Sequence, residues 1–277
     1  MQRPVAIALL VALVAAGCGF KQEPTGAVSP RFPVTVHDAA GRALTIARQP
    51  TRILVMDPAG ARILHSIGSK PTMVASTASI ASLEAHHPDL IVMSPDTSPA
   101  RADLIEQKVG APTYVLAGLA LPAIEHGAAQ LGLATGHPLA GRDLALSLRA
   151  QRERLERQIA NAKVQTVFGD TGFGYSIPAG TLLGALISAG GGQLVGTESP
   201  QPVSLPRLQK LDPDVYLTLQ SSHVTLKILR KRKLTAKLPA VLSGRVLVID
   251  DGLIEPDQDA YRLLEQIERF LHPETAP

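Results

Sequence analysis

Two stretches of this chain share one plan, "SLEAHHPDLIVMSP" from Ser82 and "PRLQKLDPDVYLTL" from Pro206. In each, a short helical pattern carries a Leu at its second or third position, Pro-Asp turns the chain, and an apolar strand follows at once. Proline lacks the backbone donor and disfavours helical geometry in the residue before it, so each helix must give way there to extended chain. A corner fixed twice in the same way predicts two α/β units of related build. Between the copies, over 138–163, the rhythm breaks. Leu139, Leu144, Leu148, Leu155 and Ile159 recur at near-helical spacing, with "RAQRERLERQ" in the solvated positions. One long, stiff helix without a strand is expected to separate an earlier lobe from a later one, and 277 residues suffice for two cores.

The flanking sequence fits that architecture. "PVTVHDAAGRALTIA" alternates in period two around a Gly-containing turn and predicts a hairpin over 33–47. Short apolar strands are then expected at 53–56, 73–75, 90–93 and 114–116, alternating with helices at 59–67, 79–86, 99–107 and 122–131. After the long helix come strands at 167–168, 215–218 and 244–250, with helices at 181–189, 204–210 and 259–271. The last helix should bury Leu263, Leu264, Ile267 and Phe270, and Gly190 to Gly192 reads as a helix stop. Short apolar strands separated by helices are the pattern of parallel sheets covered on both faces. The fold class is α/β, two lobes joined by a single long interlobe helix, with a ligand cleft where strand ends face one another.

Composition narrows the functions open to such a fold. At 45% hydrophobic and 18% charged residues the chain is globular. The net charge of +3 is dispersed except at Lys227, Arg230, Lys231, Arg232 and Lys233, a run that reads as a solvated helix end. Aromatic residues are 3% with no Trp, so the stacking platforms of single-strand binders are missing and no nucleic acid partner is expected. At the start, Arg3 precedes an apolar stretch over 5–16, too short to span a bilayer comfortably, and Ala15, Ala16 and Gly17 lead to Cys18. This resembles the bacterial lipobox, in which the peptide is cut before the Cys and the thiol carries diacylglycerol; the other reading is an ordinary signal peptide with a stray Cys. Cys18 is the only cysteine, so no intrachain disulfide can form. The expected division is a lipoprotein signal peptide over 1–18, a tether over 19–33, a first lobe over 34–137, the interlobe helix over 138–163 and a second lobe over 164–277. The monomer would then be held by lipid to the membrane on its extracytoplasmic side.

In such folds the ligand meets loops at the carboxyl ends of strands. On the first lobe these loops offer Asp57, Ser76, Asp96 and Thr97. On the second they offer Phe173 and Tyr175 in "DTGFGYS", then Gln220, Ser222, His223 and Asp251. Flanking glycines should leave the two rings mobile and accessible, suiting a flat organic face or, for Tyr175, an iron-ligating phenolate. Ser221 also sits in the second set. Of the histidines weighed, His65 falls within a helix and His86 and His87 at a helix end, leaving His223 alone at a cleft loop; neither a metal site nor a cofactor is expected. No nucleophile elbow, phosphate loop or metal-hydrolase motif is present, and "SAGGGQ" follows a helix rather than a strand. The expectation is a binding protein with no catalytic residues.

Five segments in order, "QPTRILVMDP", "LEAHHPDLIVMSP", "YSIPAGTLLGALISAGGGQLVG", "VSLPRLQKLDPDVYLTL" and "LPAVLSGRVLVID", resemble the substrate-binding proteins of ABC importers for vitamin B12, ferric siderophores and haem. The resemblance runs from about Pro50 to Leu271. It implies Rossmann-like lobes, limited hinge motion, and capture of a metal chelate or corrinoid for a membrane permease. It also implies two departures at permease-facing positions. Where the family carries docking Glu residues, this chain has Arg62 in "DPAGARILHSIG", and Pro206 or Arg207 in "VSLPRLQKL". Reversed charge at an interface turns attraction into repulsion unless the partner has changed too. A third departure is "VASTASIASLE", which enters its helix with less loop than the family has and implies a more open cleft. The alternatives are an accessory envelope lipoprotein of the same fold without standard docking, or a Zn/Mn-binding receptor.

Overall fold

The computed structural model describes residues 31–118, 120–172, 174–196, 202–254 and 258–275. Cys18 and Phe173 lie outside them. The chain opens with an antiparallel hairpin, β1 (Val34–His37) and β2 (Ala43–Ile46), whose turn places Gly41 at φ +77°. The first sheet is built from β3 (Ile53–Val55), β4 (Thr72–Met73), β5 (Leu90–Met93) and β6 (Thr113–Val115). The second comprises β7 (Gln165–Asp170), β8 (Gly192–Leu194), β9 (Val215–Leu219) and β10 (Val246–Ile249). Both are wholly parallel, ordered β4-β3-β5-β6 and β8-β7-β9-β10. Each therefore runs second, first, third, fourth in chain order. The two units have one topology.

The doubled Pro-Asp corner is realised in atomic detail. Helices α1 (Pro58–Ser66), α2 (Ile80–Ala85) and α3 (Pro99–Val109) connect the first sheet; α6 (Leu182–Ala189) and α7 (Leu205–Leu211) connect the second. α2 and α7 each bury one Leu, Leu83 and Leu208. His87 and Asp212, immediately before the two prolines, take φ of 46° and 44°, an uncommon conformation for side-chain-bearing residues. The Asp after each proline then clasps the start of the sheet's first strand. Asp89 accepts from the Thr51 amide at 3.1 Å and its hydroxyl at 2.8 Å, while Asp214 accepts from the Thr166 amide at 2.9 Å and its hydroxyl at 2.8 Å.

The long helix α5 (Pro138–Gln158) joins the lobes, and against it pack α4 (Leu121–Thr135) of the first and, after α8 (Leu226–Lys231) and α9 (Pro239–Leu242), α10 (Gln258–Leu271) of the second. α5 is the expected long helix but ends at Gln158, where Ile159 caps it and the Ala162 amide turns back to the Ile159 carbonyl. Leu155 is buried, whereas Leu139, expected to pack, is 42% exposed. α4 and α5 meet almost backbone to backbone: a Cβ on Gly132 would lie 2.7 Å from the Gly141 Cα, and one on Gly141 would lie 2.6 Å from the Ala128 carbonyl oxygen. Only glycine permits this approach. Glu125 of α4, buried, accepts from Arg152 Nε of α5 at 2.7 Å, from its Nη2 at 3.2 Å, and from the Tyr261 hydroxyl of α10 at 3.1 Å. One apolar cluster runs without a break through Val55 and Leu90, Leu148 and Leu155, and Val167 and Leu217.

Some expectations need correction. Gly190 and Gly191 do stop α6, but Gly192 begins strand β8 rather than extending the stop. Helices α8 and α9 were not separately expected, although the basic run indeed closes α8, with Arg230 and Lys231 in its last turn. α10 fully buries Leu263, Leu264 and Ile267; Phe270 is only partly covered.

Candidate functional site

The carboxyl ends of the first sheet open onto a cavity of about 430 Å³. Its buried apolar floor is Met56 and Met93, at the ends of β3 and β5. Around them stand Ser76 and Thr77 from the loop after β4, Ser94, Asp96 and Thr97 from the loop after β5, and Arg101 from α3. The loop after β5 holds its shape through the Thr97 amide bonding the Ser94 carbonyl at 3.1 Å and Ser98 capping α3. Two polarizable thioethers beneath hydroxyls, one carboxylate and one guanidinium can cover an apolar ring edge while hydrogen-bonding polar substituents in both senses. Three predicted residues, Ser76, Asp96 and Thr97, come together here. Asp57 does not line this cavity: it caps α1, accepting from the Ala59 amide at 2.8 Å and the Gly60 amide at 3.3 Å.

Arg101 was not foreseen. The signal was available, because it lies in the first turn of α3, where the helix dipole disfavours a cation. A cation at such a cost suggests a task other than holding the helix.

On the second lobe the organising residue is the first of the cleft loop "DTGFGYS", which sequence reasoning placed in the loop but did not single out. Asp170 closes β7, is 2% exposed, and accepts from the amides of Gly172 at 2.8 Å and Gly174 at 3.0 Å and from the Tyr216 hydroxyl at 2.5 Å. Burial, with Asp170 beside it, pushes the Tyr216 hydroxyl well above its ordinary range, so it stays protonated and donating. The loop is closed further by the Thr171 amide on the Tyr175 carbonyl at 2.8 Å and the Val203 amide on the Gly174 carbonyl at 2.8 Å. Glycine is required here for folding back, at φ +123° and +82°. The expected mobile loop is thus internally tied, and it presents Tyr175 at 46% exposure.

The remaining predicted residues sit on two adjoining turns. Gln220, Ser221 and Ser222 form a single 3₁₀ turn after β9, ended by His223 at φ 54°, exposed. The Ser222 hydroxyl is occupied locally, bonding the Leu219 carbonyl at 2.6 Å and the Thr218 hydroxyl at 2.7 Å. Asp251 accepts from the Ser221 amide at 2.9 Å and its hydroxyl, locking the two turns together. Burial pushes the Asp251 carboxyl up, but the Ser221 donors outweigh it and hold the group below the usual carboxylate range.

Arg62 lies in the middle of α1, half-buried, and Arg207 is exposed near the start of α7. By the shared topology α1 corresponds to α6 and α2 to α7, so the two arginines do not occupy equivalent places. Among the described residues no group of three or more His, Cys, Asp or Glu is placed to hold a metal ion.

Comparison with solved structures settles the architecture. The periplasmic vitamin B12 binding protein BtuF of Vibrio cholerae superimposes with a TM-score of 0.68 at 18% identity, covering 82% of this chain and 99% of that one. This chain has the two-lobed fold of the periplasmic binding proteins. The family resemblance read from the sequence is shown by named relatives too. A cobalamin-binding protein of Halobacterium salinarum is 23% identical over 298 residues, covering 89% of this chain and 79% of the relative. An uncharacterized ABC transporter substrate-binding lipoprotein of Bacillus subtilis, YvrC, is 22% identical, covering 96% of each. No family model matches. The first-lobe cavity and the second-lobe turns both lie at strand carboxyl ends, the side on which open α/β sheets in general bind their ligands.

Proposed function

We propose that the chain is the lipid-anchored substrate-binding component of an ABC importer, taking a corrinoid or a related metal chelate between its lobes. The observation that carries this reading is the cavity over Met56 and Met93, ringed by Ser76, Thr77, Ser94, Asp96, Thr97 and Arg101. At about 430 Å³ it would hold one side of a large ligand. Its mixture of hydroxyls with one charge of each sign suits amide- and carboxylate-bearing edges. Tyr175, Gln220 and His223 would meet the opposite side; Phe173, outside the described residues, remains part of this proposal from the sequence alone. The relatives named for cobalamin binding and for ABC transport lend the reading its substrate class. The residue division expected from the sequence belongs to this proposal: signal peptide to Cys18, tether over 19–33, lobes over 34–137 and 164–277, and the joining helix between. So do the roles of Arg62 and Arg207 as permease-facing residues.

The test is thermal unfolding with cobalamin, haem and several ferric siderophores in turn. A ligand at a hundred times its Kd adds about 2.7 kcal/mol, which for a protein this size raises Tm by roughly 5–10 °C. No stabilisation by any of them at saturating concentration would refute the binding role. A second reading, an accessory envelope lipoprotein of this fold, is favoured by Arg62 and Arg207 standing where docking acids are expected. Replacing both with Glu and measuring permease association separates the two, since only the accessory reading expects association to appear with the acids.

A further inference from the structure

Between Val215 and Ile249 the chain contains no Asp or Glu, yet carries Lys227, Arg230, Lys231, Arg232, Lys233, Lys237 and Arg245. The first six are all exposed, and none forms an ion pair among the described residues. Elsewhere this chain pairs its cations readily: Arg42, Arg52, Arg149, Arg152 and Arg269 each hold a carboxylate within 3 Å. Lysines elsewhere, Lys70, Lys108 and Lys163, also form no ion pair among the described residues, so what sets this segment apart is the absence of any acid among its seven cations.

The segment is rigidly mounted. Leu229 of α8 is fully buried with Val224, Leu238, Ala240 and Val241, so its cations ride on a fixed core. The Gln209 amide of α7 donates to the Leu234 carbonyl at 3.2 Å, which draws the last turn of α7, with its exposed Lys210, to the same segment. That bond also locates the surface. Gln209 is near the end of α7, just before β9 begins, so Leu234 sits towards the strand starts, away from the cleft end. Within the basic segment Leu234 is 38% exposed and Leu242 is 67% exposed.

We propose that this flank of the second lobe docks on an anionic lipid bilayer. Helix ends bearing long basic side chains around exposed leucines match a surface of negative headgroups over an apolar interior. The flank carries no exposed Phe, Tyr or Trp to stack bases: Tyr216, the one such residue between Val215 and Ile249, is buried. Lying away from the cleft end, the contact leaves the ligand entrance clear. It adds a second attachment to the lipid anchor proposed at Cys18, on which it rests for local concentration only. The 15-residue tether proposed over 19–33 reaches at most about 50 Å, so an anchored lobe stays close to the bilayer. Diacylglycerol at Cys18 would already supply two acyl chains and durable residence, so the basic flank's part is to hold the lobe in one orientation against the bilayer.

The experiment uses residues 31–277, which retain every described strand, helix and core residue but not the anchor. The protein is sedimented with vesicles of phosphatidylcholine alone and of phosphatidylcholine with phosphatidylglycerol. Binding is expected only to the second, and to fade as salt rises. Each cation at such a surface is worth about fivefold in partitioning, so replacing Arg230, Lys231, Arg232 and Lys233 with Gln should lower it by roughly several hundredfold. A control replacing Lys70, Lys108, Arg142 and Arg157 with Gln has the same net charge and should bind like the parent. Equal binding to both vesicles, equal loss in both variants, or no binding even at low salt would overturn the proposal; the last result leaves ligand capture and the Cys18 anchor untouched.

Discussion

Arg152→Met puts the joint between the lobes under direct test. The change keeps an unbranched stem of similar reach and removes the guanidinium. Glu125, 7% exposed, then loses its donors at 2.7 and 3.2 Å and keeps the Tyr261 hydroxyl at 3.1 Å. Stripping the partner from a buried charge typically costs 3–5 kcal/mol. The surviving Tyr261 bond argues for the lower end, about 3 kcal/mol. Because α4, α5 and α10 share this carboxylate, the loss should appear in the main unfolding transition rather than as local fraying. With a urea dependence of about 2–3 kcal/mol per molar for a protein this size, the midpoint should fall by roughly 1–1.5 M. Adding Glu125→Gln to the variant removes the orphaned charge and should recover part of the deficit, a coupling that a double-mutant cycle reads directly. A single-variant loss below about 1 kcal/mol, or no recovery in the double variant, would refute the assignment of this cluster as a load shared between lobes.

Other outcomes follow from the same geometry. Gly141→Ala should cost about 1–3 kcal/mol by thermal or urea unfolding, since its Cβ meets the Ala128 carbonyl at 2.6 Å and the facing backbone cannot yield cheaply. Asp89 has its carboxyl held well below the usual range: burial acts to raise it, and hydrogen bonds from Arg52 and Thr51 outweigh that. Its contribution is complete above the unfolded value of about 3.9 and is lost as pH falls through the lower folded value. Asp89→Asn should therefore destabilise by about 1–2 kcal/mol at neutral pH, with the gap from the parent narrowing below about pH 4; a gap independent of pH would contradict the clasp. Arg101→Ala should weaken the best ligand found by thermal shift by at least about tenfold, the value of a charged hydrogen bond, without lowering the apoprotein's Tm. Asp170→Asn should weaken the same ligand through Tyr175, and the loop's change should show in Tyr175 mobility by NMR.

The framework was legible wherever a residue's local chemistry allowed only one course. Pro88 and Pro213 dictate their corners in any context, and Ser79, Ser98, Thr181 and Ser204 cap the helices whose starts they mark. What escaped was non-local. Asp170 resembles any acid at a strand end until Tyr216, 46 residues on, delivers its hydroxyl. The glycines at 172 and 174 suggest freedom, yet they serve a fixed fold-back whose other half is Asp170. Strand β8 was hidden because Gly192 opens it, and glycine is poorly suited to strands on its own account. In the cavity, Ser76, Asp96 and Thr97 could be read from the loops they occupy, whereas Arg101 belongs to a helix and enters the site only through packing.

The contact between Gly132 and Gly141 has a kinetic consequence. Helices touching backbone to backbone, with a third bolted across them through Tyr261, make a weld and not a swivel. An arriving ligand would meet walls already near their final positions, so no slow closing step would follow the encounter. The observed association rate should then climb in proportion to ligand concentration and reach no plateau, as for a preformed socket, with selectivity among chelates expressed in how slowly each one leaves.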